Sequence, residues 1–356
     1  MNSALAYLQR YRDNPTHTTY EIQEREEFLA PKLTVCQFPA WNTRNPYRNE
    51  ERGPLSSFMK KFGIEAEDVV ATCLLNRQSC TPGKTKSIGN ISSVVDLPTA
   101  MWTQGIQYFD CDLMNIRRCF TLHPKHPLGV LDHMSGYFLN LSMEPEIEAL
   151  HGSKSQWEIS IHNDPDWASD LEGTSTVIKV LPRTSNTIFL SIREMLYVPT
   201  STHPCEEDPS YSRDRCWSDC VARNLSPTWD CRLSWMNVSL PLCETVEDIQ
   251  RFLRDGYNQM NKERFWKLNC NCPQPCKMIQ FTTQAMPPEL GDSGNRSALV
   301  HVYFPSREVE VLVEHESYDL NQMVGELGGC VGLFLGVSLV SVYEIVAGFF
   351  FGRVSA

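Results

Sequence analysis

The sequence predicts an α+β protein in which a disulfide-rich extracellular domain is followed by one C-terminal transmembrane helix. Three observations support this fold class. The chain of 356 residues contains 14 cysteines, more than a reducing compartment normally allows. An apolar run from Leu327 to Phe351 contains a single charged residue, Glu344. Five Asn-x-Ser sequons precede that run, and N-glycosylation is expected at them: Asn90, Asn140, Asn224, Asn237 and Asn295.

The apolar run is long enough to cross a membrane. Its 25 residues would form a helix of roughly 37 Å, against a hydrocarbon core of about 30 Å. Glycines and polar residues within it favour contacts with other helices around a water-filled path. A plain anchor with a dimer face at Gly328, Gly332 and Gly336 is the alternative that this run alone leaves open.

Apolar alternation predicts strands in the body of the chain, with Trp157, Ile159 and Ile161 on one face of the clearest strand. The predicted strands cover 31–38, 156–163, 175–182, 187–198, 297–304 and 309–315. Helices are predicted at 53–63, 212–224 and 245–268, the last opened by a Thr245-x-x-Asp248 cap. Residues 76–110 are interpreted as a mixed polar stretch with turns.

Charge and motifs exclude several classes of function. A net charge of −11 argues against nucleic-acid binding, which normally needs a basic face. An acidic exterior would enrich cations near a membrane, although an ordinary acidic surface explains the charge equally well. The sequence contains no nucleophile elbow and no His-Glu-x-x-His motif, so an enzyme is not predicted, and no cofactor is expected.

The cysteine spacing predicts a ladder of disulfides between two helical segments. Cys216 and Cys220 lie about 6.0 Å apart on one helix face. Cys270 and Cys272 lie about 6.6 Å apart in extended chain. For an antiparallel return, the expected pairs are Cys216–Cys272 and Cys220–Cys270, with Cys205–Cys276 as a third. A zinc site formed by the same thiolates is the alternative, and no metal is expected.

The remaining cysteines allow two short loops. Cys231 with Cys243 and Cys73 with Cys80 are expected to close them. Cys36, Cys111, Cys119 and Cys330 remain. Cys330 lies in the predicted membrane helix, so one of the other three is left without a partner.

Five segments, taken in order, resemble the degenerin/epithelial sodium channel family, which includes acid-sensing and peptide-gated channels. They are LTVCQF, CLLNRQSC, RRCFTLHP, CNCPQPC and GELGGCVGLFLGVS. The last is the most specific, because it reproduces the run that ends in the family's Gly-x-Ser filter.

The resemblance implies a trimer whose subunits have palm, finger, thumb, knuckle and β-ball regions. Residues 1–320 would be extracellular, with the thumb at about 205–276, and 321–352 would line the pore, followed by a cytoplasmic tail at 353–356. It also implies a Cys36–Cys119 disulfide, which leaves Cys111 unpaired.

The resemblance also assigns pore residues. Gly336, Val337 and Ser338 take the position of the selectivity filter. The other positions implied for the pore and gate are Gln322, Glu326, Gly332 and Glu344.

The predicted function is therefore that of a subunit of a sodium-selective, amiloride-sensitive channel at the plasma membrane. Its expected partners are sodium ions, the membrane, and related subunits in a homo- or heterotrimer. Residues 7–23 resemble the chain that follows the family's first membrane helix, so an upstream segment is expected. A truncated, non-conducting subunit that modulates full-length partners is therefore the alternative.

Overall fold

The computed structural model describes residues 2–13, 15–38, 54, 57, 63–83, 94–108, 116–129, 135–143, 155–163, 176–200, 203–226, 229–233, 236–252, 270–290, 297–335 and 339–351. Within these ranges the chain forms two large β-sheets and several helices. The mixed α and β composition is therefore confirmed.

The larger sheet contains nine of the described strands. They are β1 (Thr16–Glu24), β4 (Val70–Leu75), β5 (Gln78–Ser79), β10 (Tyr137–Leu141), β13 (Thr184–Leu196), β16 (Lys277–Ala285), β17 (Glu289–Leu290), β18 (Ala298–Tyr303) and β19 (Glu308–Glu316). Their order is β1-β19-β13-β18-β10-β4-β5, with β16 and β17 also paired to β13. The long strand β13 runs parallel to β18 and to β19 and also pairs with β16 and β17, so it contacts four other strands of this sheet.

The second sheet has six described strands in the order β12-β11-β3-β8-β7-β6. They are β3 (Lys32–Phe38), β6 (Val94–Asp96), β7 (Ala100–Tyr108), β8 (Ile116–Pro124), β11 (Gln156–His162) and β12 (Thr176–Val180). Two short pairs complete the β structure: β2 (Glu27–Phe28) with β9 (Leu128–Gly129), and β14 (Cys205–Glu206) with β15 (Gln274–Pro275).

Helices lie near both ends of the described chain and between β14 and β15. They are α1 (Asn2–Asp13), α2 (Ala66–Val69), α3 (Arg213–Leu225), α4 (described over 246–252), α5 (Leu320–Leu335) and α6 (Leu339–Phe351). The Ser212 side chain caps α3 by accepting from the N–H of Arg215. The Thr245 hydroxyl accepts from the N–H of Asp248 at 3.1 Å, so the predicted cap at the start of α4 is confirmed.

One buried apolar cluster draws side chains from both sheets. Trp157, Ile159 and Ile161 all point into it, as their alternation predicts. The indole N–H of Trp102 donates to the carbonyl of Cys80 at 2.6 Å, so this large side chain is buried without leaving its polar atom unpaired.

The interpretation of residues 76–110 as a mixed polar stretch with turns missed the strands in the described part of that range. It contains β5, β6 and β7. The strand β7 carries Thr103, Gln104 and Gln107 among its apolar residues, so its pattern does not alternate clearly. Most of the helix predicted at 53–63, and residues 253–268 of the last predicted helix, lie outside the described residues.

Candidate functional site

A two-stranded ribbon joins the body to the helices at the two ends of the chain. α1 leads into β1, and β19 leads into α5. β1 and β19 pair in continuous antiparallel register, starting with Thr16 opposite Glu316. The N–H of Ser317 donates to the carbonyl of Pro15 at 2.7 Å, and α1 packs beside α5. The ribbon therefore continues directly into the first turn of α5.

Polar side chains hold the helix-proximal end of this ribbon together. The Thr16 hydroxyl donates to Glu314 Oε1 at 2.6 Å. The backbone N–H of Val198 donates to Glu314 Oε2 at 3.0 Å, which ties the ribbon to the chain after β13. His17 and His315 are direct cross-strand partners, with ring centroids 5.3 Å apart.

The first turn of α5 is fixed by an acidic cap. Asp319 Oδ1 accepts from the N–H of Gln322 at 2.7 Å, and the Asp319 carbonyl accepts from the N–H of Met323 at 3.0 Å. A carboxylate at this position satisfies free N–H groups of the helix start. Gln322, the predicted gate residue, therefore has a fixed backbone and an exposed side chain.

Glu326 meets the ribbon end and α1 through one tyrosine. The Tyr318 side chain is fully buried, and its hydroxyl donates to Glu326 Oε2 at 2.6 Å. The guanidinium carbon of Arg10, on α1, lies 4.6 Å from the Tyr318 ring centroid. Burial and the hydrogen bond to Glu326 raise the pKa of Tyr318 to about 12. The phenol thus stays a neutral donor, and three segments meet at this group, which we call the Tyr318 junction.

The remaining predicted pore residues follow in α5 and α6. Gly332 lies on α5, and Glu344 lies on α6 with its side chain exposed. The range 336–338, which holds the three predicted filter residues, falls between Leu335, where α5 ends, and Leu339, where α6 begins. Those three residues lie outside the described part of the chain. Among the helices of the described ranges, including α5 and α6, none combines the length and the apolarity needed to cross a membrane.

Large apolar side chains on α6 are not covered by the described chain. Val340, Tyr343, Ile345 and Phe349 are all exposed, Phe349 to 81%. At 100° per residue these positions fall on different sides of the helix. Apart from the side that carries Ser341 and Glu344, most of the helix surface is therefore apolar and exposed, and such a surface requires cover from lipid or from other protein.

Six disulfides are present among the described cysteines, and their pairs are those expected from the sequence. They are Cys36–Cys119, Cys73–Cys80, Cys205–Cys276, Cys216–Cys272, Cys220–Cys270 and Cys231–Cys243. Two rungs of the ladder join α3 to Cys270 and Cys272, and the third joins β14 to Cys276. Cys330, on α5, is the free cysteine of the described residues, and Cys111 lies outside them.

The predicted glycosylation positions differ in their surroundings. Asn224, on α3, and Asn237 are exposed. Asn140 lies on β10, which has strands paired on both sides. Asn90 and Asn295 lie outside the described residues.

Sequence reasoning missed the residues that surround Glu326. Tyr318 lies nine residues before the predicted apolar run, and Arg10 lies more than 300 positions away from it in the chain. An aromatic residue close to a predicted membrane helix was the available signal, since such residues favour the interface. The contact of Tyr318 with Arg10 is visible only once β1 pairs with β19.

Comparison with known proteins gives one family. The model of the family described as "Amiloride-sensitive sodium channel" matches residues 1–347. Over 164 residues the chain is 25% identical to a degenerin-like protein asic-1 from Caenorhabditis elegans, covering 40% of this chain and 20% of that protein. Over 189 residues it is 23% identical to acid-sensing ion channel 1 from Gallus gallus, covering 44% of this chain and 34% of that protein.

A solved structure of a proton-activated chloride channel aligns with 94% of this chain and 88% of its own. The TM-score is 0.36 and the sequence identity is 8%. The aligned regions span about a third or less of the two sequence relatives. The family match is more extensive, because its 347 of 356 residues include the body, the Tyr318 junction, α5 and the first part of α6. The chain therefore belongs to the amiloride-sensitive sodium channel family, whose members are ion channels and not enzymes.

Proposed function

We propose that this chain is a subunit of a trimeric, sodium-selective, amiloride-sensitive cation channel, with most of the chain outside the cell at the plasma membrane. The observation that carries the proposal is the uncovered α6, whose apolar side chains are exposed over most of the helix surface, apart from the side that carries Ser341 and Glu344. Lipid and neighbouring subunits would remove this surface from water, which is favourable by about 25 cal/mol per Å² of apolar area. Channels of this family are expected to be assemblies of several subunits in a membrane, where lipid and neighbouring subunits would cover α6.

In this proposal the range 336–338 forms the selectivity filter. Three copies of Gly336, Val337 and Ser338 would surround the axis and present backbone carbonyls to the ion. Irregular backbone at membrane depth is tolerated where it lines water, and carbonyl rings are a common filter chemistry. The Val337 side chain would point away from the ion path.

Two carboxylates would act at different depths of the pore. Glu326 would lie near the outer mouth and attract cations. Its bond to Tyr318 would hold that charge at a fixed place beside α1. Glu344 would lie below the filter and face the water-filled lumen, because a carboxylate in contact with lipid is costly.

The body would act on this pore through the β1–β19 ribbon. Residues 1–320 would form the extracellular gating domain, with the thumb at about 205–276, and 321–352 the pore segment. The ribbon ends at the Tyr318 junction, so a change of the large sheet would shift α1 and α5 together.

Whole-cell voltage clamp tests the proposal in cells that express the full coding sequence containing this chain. We expect an inward current in sodium that falls when potassium replaces sodium and when amiloride is added. A chain that reaches the surface, alone and together with related subunits, without such a current would refute the proposal. Altered currents of co-expressed subunits, without conduction through this chain, would instead support a modulatory subunit.

Cysteine substitution tests the filter assignment in the same recordings. The background is Cys330→Ser, because Cys330 is a free thiol on α5 that could itself bind cadmium. In that background Ser338→Cys is expected to create cadmium block or to change the sodium-to-potassium ratio, because thiolate binds this soft metal. Ser306→Cys, at an exposed serine of the body, is the control and should leave both unchanged.

A further inference from the structure

Two residues of β10, Phe138 and Asn140, point to the outer face of the large sheet. Phe138 and Asn140 are two positions apart in the strand, so their side chains share one face. Tyr137, Leu139 and Leu141, which point the other way, are buried at 0% exposure. The outer face is therefore open at the centre of the sheet, where β10 lies between β4 and β18.

An apolar patch occupies this outer face beside Asn140. We call it the aromatic face. It consists of Phe138, Phe189, Leu299, His301 and Tyr303. Phe138 is 37% exposed and Leu299 is 38% exposed. Ring centroids are 6.3 Å apart for Phe138 and His301, 4.4 Å for His301 and Tyr303, and 5.3 Å for Phe189 and Tyr303. A contiguous exposed patch of this kind signals that something covers it.

Asn140 lies at the edge of the aromatic face and begins the sequon Asn140-Leu141-Ser142. Its direct cross-strand partners are Leu299 on β18 and Thr72 on β4. Its carboxamide oxygen is buried and has no hydrogen-bond partner among the described residues. An unpaired buried oxygen is unusual and needs a hydrogen-bond donor from its surroundings, whereas an N-linked sugar would be bonded to the carboxamide nitrogen beside it.

We propose that Asn140 carries an N-linked glycan whose first sugar packs on the Phe138 ring and covers the aromatic face. The proposal rests on the extracellular placement of the body given under the proposed function. Side chains two positions apart along a strand are about 7 Å apart, so a sugar attached to Asn140 reaches Phe138 directly. The axial C–H groups of a pyranose are weakly positive, and the face of an aromatic ring is negative.

The covalent link makes this weak contact effective. A sugar attached to Asn140 is held close to Phe138 at high effective concentration, so little binding energy is needed to keep it there. A glycan on this face also restricts the assembly. A neighbouring subunit could not pack closely on the aromatic face, so the subunit contacts of the proposed trimer would use other surfaces.

The first measurement is site occupancy in the full chain made by glycosylating cells. Peptide-N-glycosidase F in heavy-oxygen water converts each glycosylated Asn to labelled Asp, which mass spectrometry detects. We expect the label at Asn140. An unlabelled Asn140 in a folded, surface-expressed chain would overturn the proposal.

The second measurement isolates the first sugar. Endoglycosidase H leaves that sugar in place on high-mannose chains, whereas peptide-N-glycosidase F removes it. We expect the apparent Tm of the purified chain in detergent to be unchanged by the first enzyme. The second should lower it by about 2–4 °C, the scale expected for one lost aromatic contact.

Phe138→Leu provides the matched variant, since it keeps an apolar side chain that fits a strand but removes the ring. In this variant, and in Asn140→Gln, the second enzyme should cause no fall in Tm. An equal fall in Phe138→Leu and in the wild type would overturn the stacking. If Asn140→Gln does not fold, the difference in the fall in Tm between the wild type and Phe138→Leu still tests whether the sugar stacks on the ring. Sodium current is scored separately, so a failed conduction test and a failed glycan test remain distinguishable.

Discussion

An ion pair between Arg25 and Glu194 fixes the end of β1 to β13, and Arg25→Gln is expected to destabilise the body. Arg25 Nη1 lies 2.6 Å from Glu194 Oε1, and Nη2 lies 2.9 Å from Oε2. The Glu194 side chain is only 9% exposed, against 36% for Arg25. The hydrogen bond from Arg25 lowers the pKa of the Glu194 carboxyl, against the opposing effect of burial.

The expected loss follows from the geometry of this pair. Hydrogen bonds to a charged group contribute about 1.5–3 kcal/mol. Solvent screens the partly exposed guanidinium, so the lower end, about 1.5 kcal/mol, is expected for Arg25→Gln. The matched control is Arg193→Gln. Arg193 bonds Glu310 at 2.7 Å, but both side chains are about two-fifths exposed, and such pairs contribute about 0–1 kcal/mol.

Acid should remove the difference between the wild type and Arg25→Gln. The folded-state pKa of Glu194 lies below its unfolded value, so the pair stabilises the fold fully above about pH 4.3. That contribution is lost as the pH falls through the folded-state pKa. The assay is the apparent Tm of the purified chain, measured from neutral pH downward until the carboxyl of Glu194 is protonated in the folded state. An equal loss for Arg193→Gln, or a loss for Arg25→Gln that acid leaves unchanged, would refute this reasoning.

Three further substitutions test the packing of the body. Gly136 has φ +102°, and an added Cβ would lie 2.3 Å from the carbonyl oxygen of Val302, so Gly136→Ala should abolish surface expression, as measured by biotinylation. Tyr137 is buried and its hydroxyl donates to the carbonyl of Pro31, so Tyr137→Phe should cost about 1–3 kcal/mol in a chemical denaturation series. Burial lowers the pKa of His123 to about 4. As the pH is lowered, His123 takes up a proton in the unfolded chain before it does so in the folded chain. Stability should therefore fall as the pH drops from about 6.5 to about 4, and His123→Gln should reduce that fall.

The strands that could be predicted are those with one face buried in the core. In β11 every second residue from Trp157 to Ile161 is buried, and a period of two in the sequence follows directly from that geometry. The cysteine ladder was predictable for a similar reason. A helix rise over four residues and an extended rise over two are nearly equal, so two parallel bridges fit the local spacing, and an antiparallel return of the chain decides the partners of Cys216 and Cys220.

The ribbon that leads to the pore segment could not be predicted in the same way. Most of β1 is exposed on both faces, including Tyr20 at 57% and Ile22 at 58%. Its residues therefore do not alternate between core and solvent, and no period of two is required. Its partner β19 was predicted because Val309 and Val311 face the core. β1 is specified by pairing to β19, a contact between residues nearly 300 positions apart.

The Tyr318 junction depends on that unpredicted strand, and it changes how Glu326 is understood. The resemblance alone makes Glu326 a free charge near a pore mouth. The structure adds a neutral donor, Tyr318, whose raised pKa keeps its proton in place, and Arg10 lies over the face of the same ring. Because Arg10 belongs to α1 and Glu326 to α5, any rotation of one helix against the other must change the surroundings of this carboxylate. The charge at the proposed mouth is therefore coupled to the packing of the helices, a property that no local motif encodes.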